Sequence, residues 1–124
     1  MTDGVAAGHD TGGLFAAIDA NDVAAFVGFL TDDAVFRFGS APAVRGRSAV
    51  QAAVDGFFGT IAGCSHNVQN TIGSGSTLVC EGEVTYRRHD GSEITLPFAN
   101  VFEYDDGLIS HYKIYADIGP LLAE

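Results

Sequence analysis

Three short turn sequences divide the second half of the chain, and their spacing is the feature that most restricts the fold. The turns are Gly73–Ser76, His89–Gly91 and Asp105–Gly107, and each contains the glycine or aspartate that tight hairpins need. They separate four segments, near 65–72, 77–88, 93–104 and 108–118, that are predicted as strands. Because hairpins join antiparallel neighbours, these segments predict an antiparallel meander.

The first half of the chain has mainly helical periodicity. Apolar residues at three- and four-residue steps predict helices over about 12–20 and 22–30, and a short alternating strand follows at 34–38. A third helix is predicted to open at Gly46–Ser48, and its apolar stripe comprises Val50, Val54, Phe57, Phe58 and Ile61. Helices followed by a meander predict an α+β fold, in which a curved antiparallel sheet is wrapped by the N-terminal helices and encloses a conical cavity.

The charge balance excludes several classes of partner. The chain has 124 residues, of which sixteen are acidic and six basic, so its net charge is −10. A chain this acidic lacks the basic surface that binds nucleic acid or an anionic membrane. It has no apolar run long enough to span a membrane, and no signal peptide is evident at its start. We therefore expect a cytoplasmic protein with a flexible tail over 1–11 and a single domain over 12–124.

No sequence motif indicates a cofactor. Cys64 and Cys80 are too few for a disulfide scaffold and are predicted to be buried free thiols. The four histidines lack the spacing of a metal site, and no dinucleotide-binding or phosphate-loop motif occurs. The sequence therefore predicts neither a metal nor an organic cofactor.

Five local strings carry a resemblance to a known family; they are Ala20–Val23, Phe29–Val35, Arg45–Arg47, Asp90–Gly91 and Tyr115–Ile118. In this order and spacing they resemble the nuclear transport factor 2-like superfamily, and within it the SnoaL-like group, over about residues 13–123. The resemblance implies a cystatin-like α+β barrel. The superfamily includes polyketide cyclases, ketosteroid isomerases, limonene-epoxide hydrolases, dehydratases and proteins that only bind partners, so the fold does not settle the function.

Matching the resemblance residue by residue argues against two of these activities. The epoxide hydrolase's water-holding tyrosine and asparagine fall at Phe36 and Phe38, and its arginine falls at Glu81. The isomerase's base also falls near Phe38, and its helix-one tyrosine falls near Leu14 or Phe15. The cyclase-like use of one aspartate in an apolar cavity remains the closest match.

The candidate catalytic residues are Asp117 and His66. Asp117 matches the acid/base aspartate on the last strand of SnoaL-like cyclases, where burial would suit its carboxyl to proton transfer. The alternative is a cap or a salt bridge at the end of that strand. His66 could relay a proton or bind a substrate carbonyl. The predicted substrate-binding residues are Tyr115, Asn100, Glu83, Phe36, Phe38 and Phe58.

The orientation of Glu81 and Glu83 stays open in the sequence. Simple alternation leaves both side chains in water, because Val84 and Tyr86 would take the buried face. The resemblance implies the opposite, with the glutamates directed into the cavity.

Two functions fit these residues. The first is a small SnoaL-like enzyme that performs acid/base chemistry, a cyclisation or an isomerisation, on a hydrophobic carbonyl-bearing substrate, with Asp117 moving the proton. The second is a non-catalytic ligand-binding or dimeric accessory module of the same fold. The expected partners are a small hydrophobic molecule and a second copy of the chain, which would cover an apolar patch of Tyr86, Val84, Tyr112 and Ile114.

Overall fold

The computed structural model describes residues 11–122, and within them it has four helices and six strands. The helices are α1 (Thr11–Asp19), α2 (Val23–Val27), α3 (Arg47–Phe58) and α4 (Gly119–Leu122). The strands are β1 (Leu30–Phe38), β2 (Val44–Arg45), β3 (Gly63–Ser74), β4 (Thr77–Arg87), β5 (Glu93–Asp105) and β6 (Leu108–Tyr115).

The sequence predicts a flexible N-terminal tail and no membrane-spanning segment. The tail predicted over residues 1–11 lies outside the described residues except at Thr11, which begins α1. None of the helices within 11–122 has the length and the apolar run that crossing a bilayer would require.

The strands form one curved, unclosed sheet in the order β2-β1-β6-β5-β4-β3. The predicted α+β class is confirmed, and β3 to β6 pair as the expected antiparallel meander. One pair departs from that pattern, because β1 lies parallel to β6, with Phe36 opposite Tyr112. The first strand in the chain, β1, therefore pairs along its length with the last one, β6.

The predicted hairpin turns are confirmed by the backbone angles of their residues. Gly75 and Gly107 have φ values of 60° and 86°, in the left-handed region that glycine adopts without steric cost. These turns join β3 to β4 and β5 to β6, and the flanking residues Ser74 and Thr77 are directly paired. The turn chemistry therefore sets the register of the meander.

Strand β1 begins four residues earlier than the sequence indicates. The predicted second helix runs to residue 30, but α2 ends at Val27 and Leu30 already pairs with Ile109 of β6. The Arg47 guanidinium also donates a hydrogen bond from Nε to the carbonyl oxygen of Leu30 at 3.0 Å. These tertiary contacts outweigh the local helical spacing of the apolar residues.

The helices cover one face of the sheet, and the main core lies between them. On β4 this inner face carries the buried side chains Leu78, Cys80, Val84 and Tyr86, whereas Glu81 and Glu83 are exposed on the outer face. The alternation of the strand therefore sends both glutamates outward.

The apolar patch that a second copy of the chain was expected to cover lies on this inner face, so its predicted location is wrong. Val84, Tyr86 and Tyr112 are buried, and all three line the internal cavity together with Ile114. Homodimerisation itself stays a prediction, but these four residues cannot supply its surface.

Candidate functional site

A cavity of about 310 Å³ lies between the helices and the inner face of the sheet. Aromatic rings form much of its wall, including Phe36 and Phe38 from β1, Phe57 and Phe58 from α3, and Phe98 from β5. Three of the predicted substrate-binding residues, Phe36, Phe38 and Phe58, are among them. Small-molecule sites span roughly 300–1,000 Å³, so this volume suits a compact apolar ligand.

Asn100 places an amide within this apolar wall. Its side chain is 2% exposed, and within residues 11–122 its Oδ1 has no hydrogen-bond partner. Leaving a buried acceptor unpaired costs about 1–3 kcal/mol. Because Asn100 lines the cavity, a polar group of a bound ligand can pair with its amide.

His66 is held in the cavity wall by Asp19, the last residue of α1. Oδ1 of Asp19 lies 2.7 Å from Nδ1 of His66, and Oδ2 accepts a hydrogen bond from the backbone N–H of His66 at 2.9 Å. The two side chains are 10% and 27% exposed for His66 and Asp19, respectively. The bond to the backbone N–H holds the Asp19 carboxylate in place, and the bond from the other oxygen then orients the imidazole ring.

This contact determines what His66 can do chemically. When Nδ1 carries the ring proton and donates a hydrogen bond to Asp19, the neutral ring keeps a lone pair on Nε2. Nε2 has no hydrogen-bond partner in the part of the chain that the structure describes, and His66 lines the cavity. Phe15 and Phe98 flank the ring with centroids 5.0 and 5.1 Å away. His66 is therefore an oriented base in an apolar setting.

Cys64 completes a small polar cluster beside this pair. Its Sγ donates to Oδ1 of Asp19 at 3.7 Å. Burial raises the pKa of the Cys64 thiol to about 12, and the Asp19 carboxylate contributes to the rise. The thiol stays protonated at neutral pH and is a poor nucleophile. Both cysteines are free, as predicted, although Cys64 is only partly buried.

Tyr86 brings a hydroxyl to the same wall. Burial raises the pKa of Tyr86, and the nearby Cys64 and Asp19 groups raise it further. The phenol is therefore neutral and can donate a hydrogen bond to a ligand oxygen.

Asp117 lies outside the cavity, so its predicted position on the last strand is wrong. β6 ends at Tyr115, and Asp117 is exposed in the following turn. Its Oδ1 accepts a hydrogen bond from the backbone N–H of Gly119 at 2.9 Å, immediately before α4. The structure thus shows the cap that the sequence left as the alternative.

Tyr115 and Glu83 also lie away from the cavity. Tyr112 and Ile114 face inward on β6, so the strand's alternation turns Tyr115 outward, where it is 57% exposed. Glu83 faces outward on β4 for the same reason. The predicted placement of these two residues in the binding site is wrong.

Asp19, Cys64 and Tyr86 lie at the site although the sequence did not predict them there, and Asp19 is the one for which a sequence signal exists. Asp19 lies four residues after the buried Phe15 and therefore on the apolar face of α1. A carboxylate on a core-facing position needs a partner. Its partner follows 47 residues later in the chain, which no local pattern reveals.

Replacing Asp117 with alanine is expected to lower the free energy of unfolding by no more than about 1 kcal/mol, because it removes one exposed cap. Arg88 still holds the last turn through hydrogen bonds to the carbonyls of Pro120 and Leu121. Urea unfolding measures the change, and ligand affinity should be unaltered. A loss of ligand binding in Asp117→Ala would show that this residue takes part in binding after all.

Comparisons with known proteins agree with this architecture. Residues 12–112 match the model of a SnoaL-like domain family. No curated protein matches the chain. Among solved structures, an NTF2-like protein of unknown function from Burkholderia pseudomallei K96243 has 18% identity and a TM-score of 0.83, with 90% of this chain and 91% of that chain covered.

Two further structures share the fold at similarly low identity. TerC, co-crystallised with polyporic acid, has 14% identity and a TM-score of 0.80 over 90% of this chain and 91% of its own. An LEH-like epoxide hydrolase from M. tuberculosis has 19% identity and a TM-score of 0.74 over 87% of this chain and 80% of its own. These likenesses establish the fold, and the chemistry has to be argued from the side chains.

Proposed function

Because the chain belongs to the SnoaL-like domain family, we propose that it is a small-molecule enzyme that performs acid/base chemistry on a hydrophobic, carbonyl-bearing substrate. The reaction class is a cyclisation or an isomerisation. The observation that supports this proposal is the Asp19–His66 pair, which presents an oriented imidazole to an aromatic-lined cavity.

His66 is the proposed base, in place of Asp117. Its Nε2 takes a proton from a carbon next to the substrate carbonyl, and the bond's electron pair moves toward the carbonyl oxygen. The Asp19 carboxylate, 2.7 Å from Nδ1, stabilises the imidazolium that forms. The imidazolium then returns the proton to another atom of the same substrate, so the reaction needs no co-reactant.

The enolate oxygen formed in this step needs a hydrogen-bond donor. The Asn100 amide and the Tyr86 hydroxyl belong to the same cavity wall as His66. Asn100 is 2% exposed, and a donor in such a water-poor site stabilises developing negative charge more strongly than it would in water. We assign the oxyanion to these two side chains.

A thermal-shift screen against apolar carbonyl compounds, aromatic polyketide mimics, steroids and polyporic acid tests the binding step. A ligand present at 100 times its dissociation constant adds about 2.7 kcal/mol to the stability of the folded state. In a domain of this size, that added stability raises the melting temperature by several degrees. We expect at least one chemical class to raise the melting temperature by that amount.

Two neighbouring alanines on α3 provide a matched pair of variants for this screen. Both side chains are exposed, but Ala53 lines the cavity and Ala52 does not. Ala53→Phe should abolish the ligand's thermal shift, and Ala52→Phe should retain it. Equal shifts in both variants would place the ligand elsewhere. Binding without turnover would favour the ligand-binding module.

A further inference from the structure

Asp19, Cys64 and His66 bring three different metal-ligating atoms together in the cavity wall. Oδ1 of Asp19, Sγ of Cys64 and one ring nitrogen of His66 all lie within 4.8 Å of one another. Oδ1 is 2.7 Å from Nδ1 and 3.7 Å from Sγ. In a tetrahedral zinc site, bonds of about 2.0–2.3 Å place the ligand atoms roughly 3.3–3.8 Å apart. The Asp19 oxygen and the His66 nitrogen would have to separate by about half an ångström to reach this spacing.

We propose that these three side chains form a binding site for a divalent transition-metal ion of the zinc class, with a fourth position open to the cavity. Thiolate, imidazole and carboxylate together are ligands that Zn²⁺ and Co²⁺ accept and that Mg²⁺ and Ca²⁺ do not. Three protein ligands and one open position is the composition of catalytic zinc sites. Cys64 and His66 both line the cavity, which supplies the open side.

The charge balance of the cluster favours such an ion. The Asp19 carboxylate now accepts hydrogen bonds from both the Cys64 thiol and the His66 ring. On binding, the thiol proton leaves to solvent, and the imidazole proton moves from Nδ1 to Nε2. Two negative ligands and one divalent cation then sum to zero charge, which suits a partly buried site better than the lone carboxylate does.

This site goes beyond the proposed function and competes with it. With the ion on Nδ1, Nε2 of His66 carries the proton and can no longer act as a base. No metal is predicted from the sequence, because the cysteines and histidines lack the spacing of a metal site. Asp19 comes from the end of α1, 45 residues before Cys64.

Cobalt titration tests the site without any substrate. After treatment with a chelator, the protein is titrated with Co²⁺ and its absorption spectrum is recorded. The wild type should bind one equivalent and develop visible d–d bands and a near-ultraviolet thiolate-to-cobalt band. Cys64→Ser should lose the thiolate band, and Asp19→Asn should weaken binding by about tenfold or more.

Cys80→Ala is the matched control, because Cys80 is buried on β4 and lies outside the cluster. It should keep the full cobalt spectrum, and circular dichroism confirms that each variant is folded. The proposal is overturned if folded wild type shows no thiolate band, or if the band persists in Cys64→Ser. Because the titration uses no substrate, its failure would leave the ligand screen and the proposed acid/base role untouched.

Discussion

Replacing His66 with asparagine is expected to lower turnover by about 10²–10⁴-fold, the contribution that a positioned general base typically makes. Asparagine has no basic nitrogen, but its amide can still donate a hydrogen bond to Asp19. The carboxylate therefore keeps a partner, and the fold should survive. The measurement is kcat on a substrate identified by the ligand screen, with the melting temperature of each variant recorded alongside.

The controls for this prediction separate chemistry from structure. His111 is exposed on β6 and does not line the cavity, so His111→Asn should keep wild-type turnover. Asp19→Asn should also lower kcat, and the double variant should be little worse than His66→Asn alone, because the two residues act as a unit. Turnover within a few-fold of wild type in His66→Asn would remove this residue from the mechanism.

Replacing Gly82 with alanine is expected to destabilise the fold by about 3 kcal/mol, at the upper end for overpacking, because the clash is with backbone. A Cβ atom at this position would overlap the carbonyl oxygen of Asn67 and lie 2.9 Å from the amide nitrogen of Gln69. The bulge between Val68 and Asn70 brings the backbone of β3 this close to β4. The two strands would have to separate to admit a methyl group.

Gly56→Ala is the matched control for Gly82→Ala. Gly56 lies inside α3, and a Cβ atom there would meet nothing within 4 Å. Alanine should therefore stabilise the protein by about 0.5–1 kcal/mol through its helix propensity. Urea unfolding measures both variants. Destabilisation of similar size at the two positions would contradict the account of the bulge.

Local patterns in the sequence predict the parts of the fold that depend on local chemistry. The apolar stripe of α3 predicts the burial of Val50, Val54 and Phe58, and all three are buried. Gly75 and Gly107 take the positive φ that their turns require. The resemblance to the SnoaL-like group is confirmed by the match over residues 12–112. These features follow from neighbours a few residues apart.

Long-range contacts decide the parts that the sequence did not predict. Leu30 continues a helical spacing from Val27, yet its backbone joins β6. Asp117 continues the alternation of the last strand, but the chain leaves the sheet after Tyr115. Asp19 depends on His66, far along the chain. In each case the outcome depends on contacts with distant parts of the chain, which the spacing of nearby apolar residues does not reveal.

The parallel pairing of β1 with β6 has a consequence for the order of folding. The hairpins β3-β4, β4-β5 and β5-β6 join neighbours in the chain. Among the described strands, the only local partner of β1 is the two-residue strand β2, and its longer pairing with β6 must wait for the final strand and closes the largest loop. In pulsed hydrogen exchange during refolding, the amides of β4 and β5 should therefore be protected before those of β1. Simultaneous protection would contradict this order. Since Phe36 and Phe38 line the cavity from β1, the cavity is the last part of the described fold to be completed, and a nascent chain cannot close its wall until β6 has been synthesised.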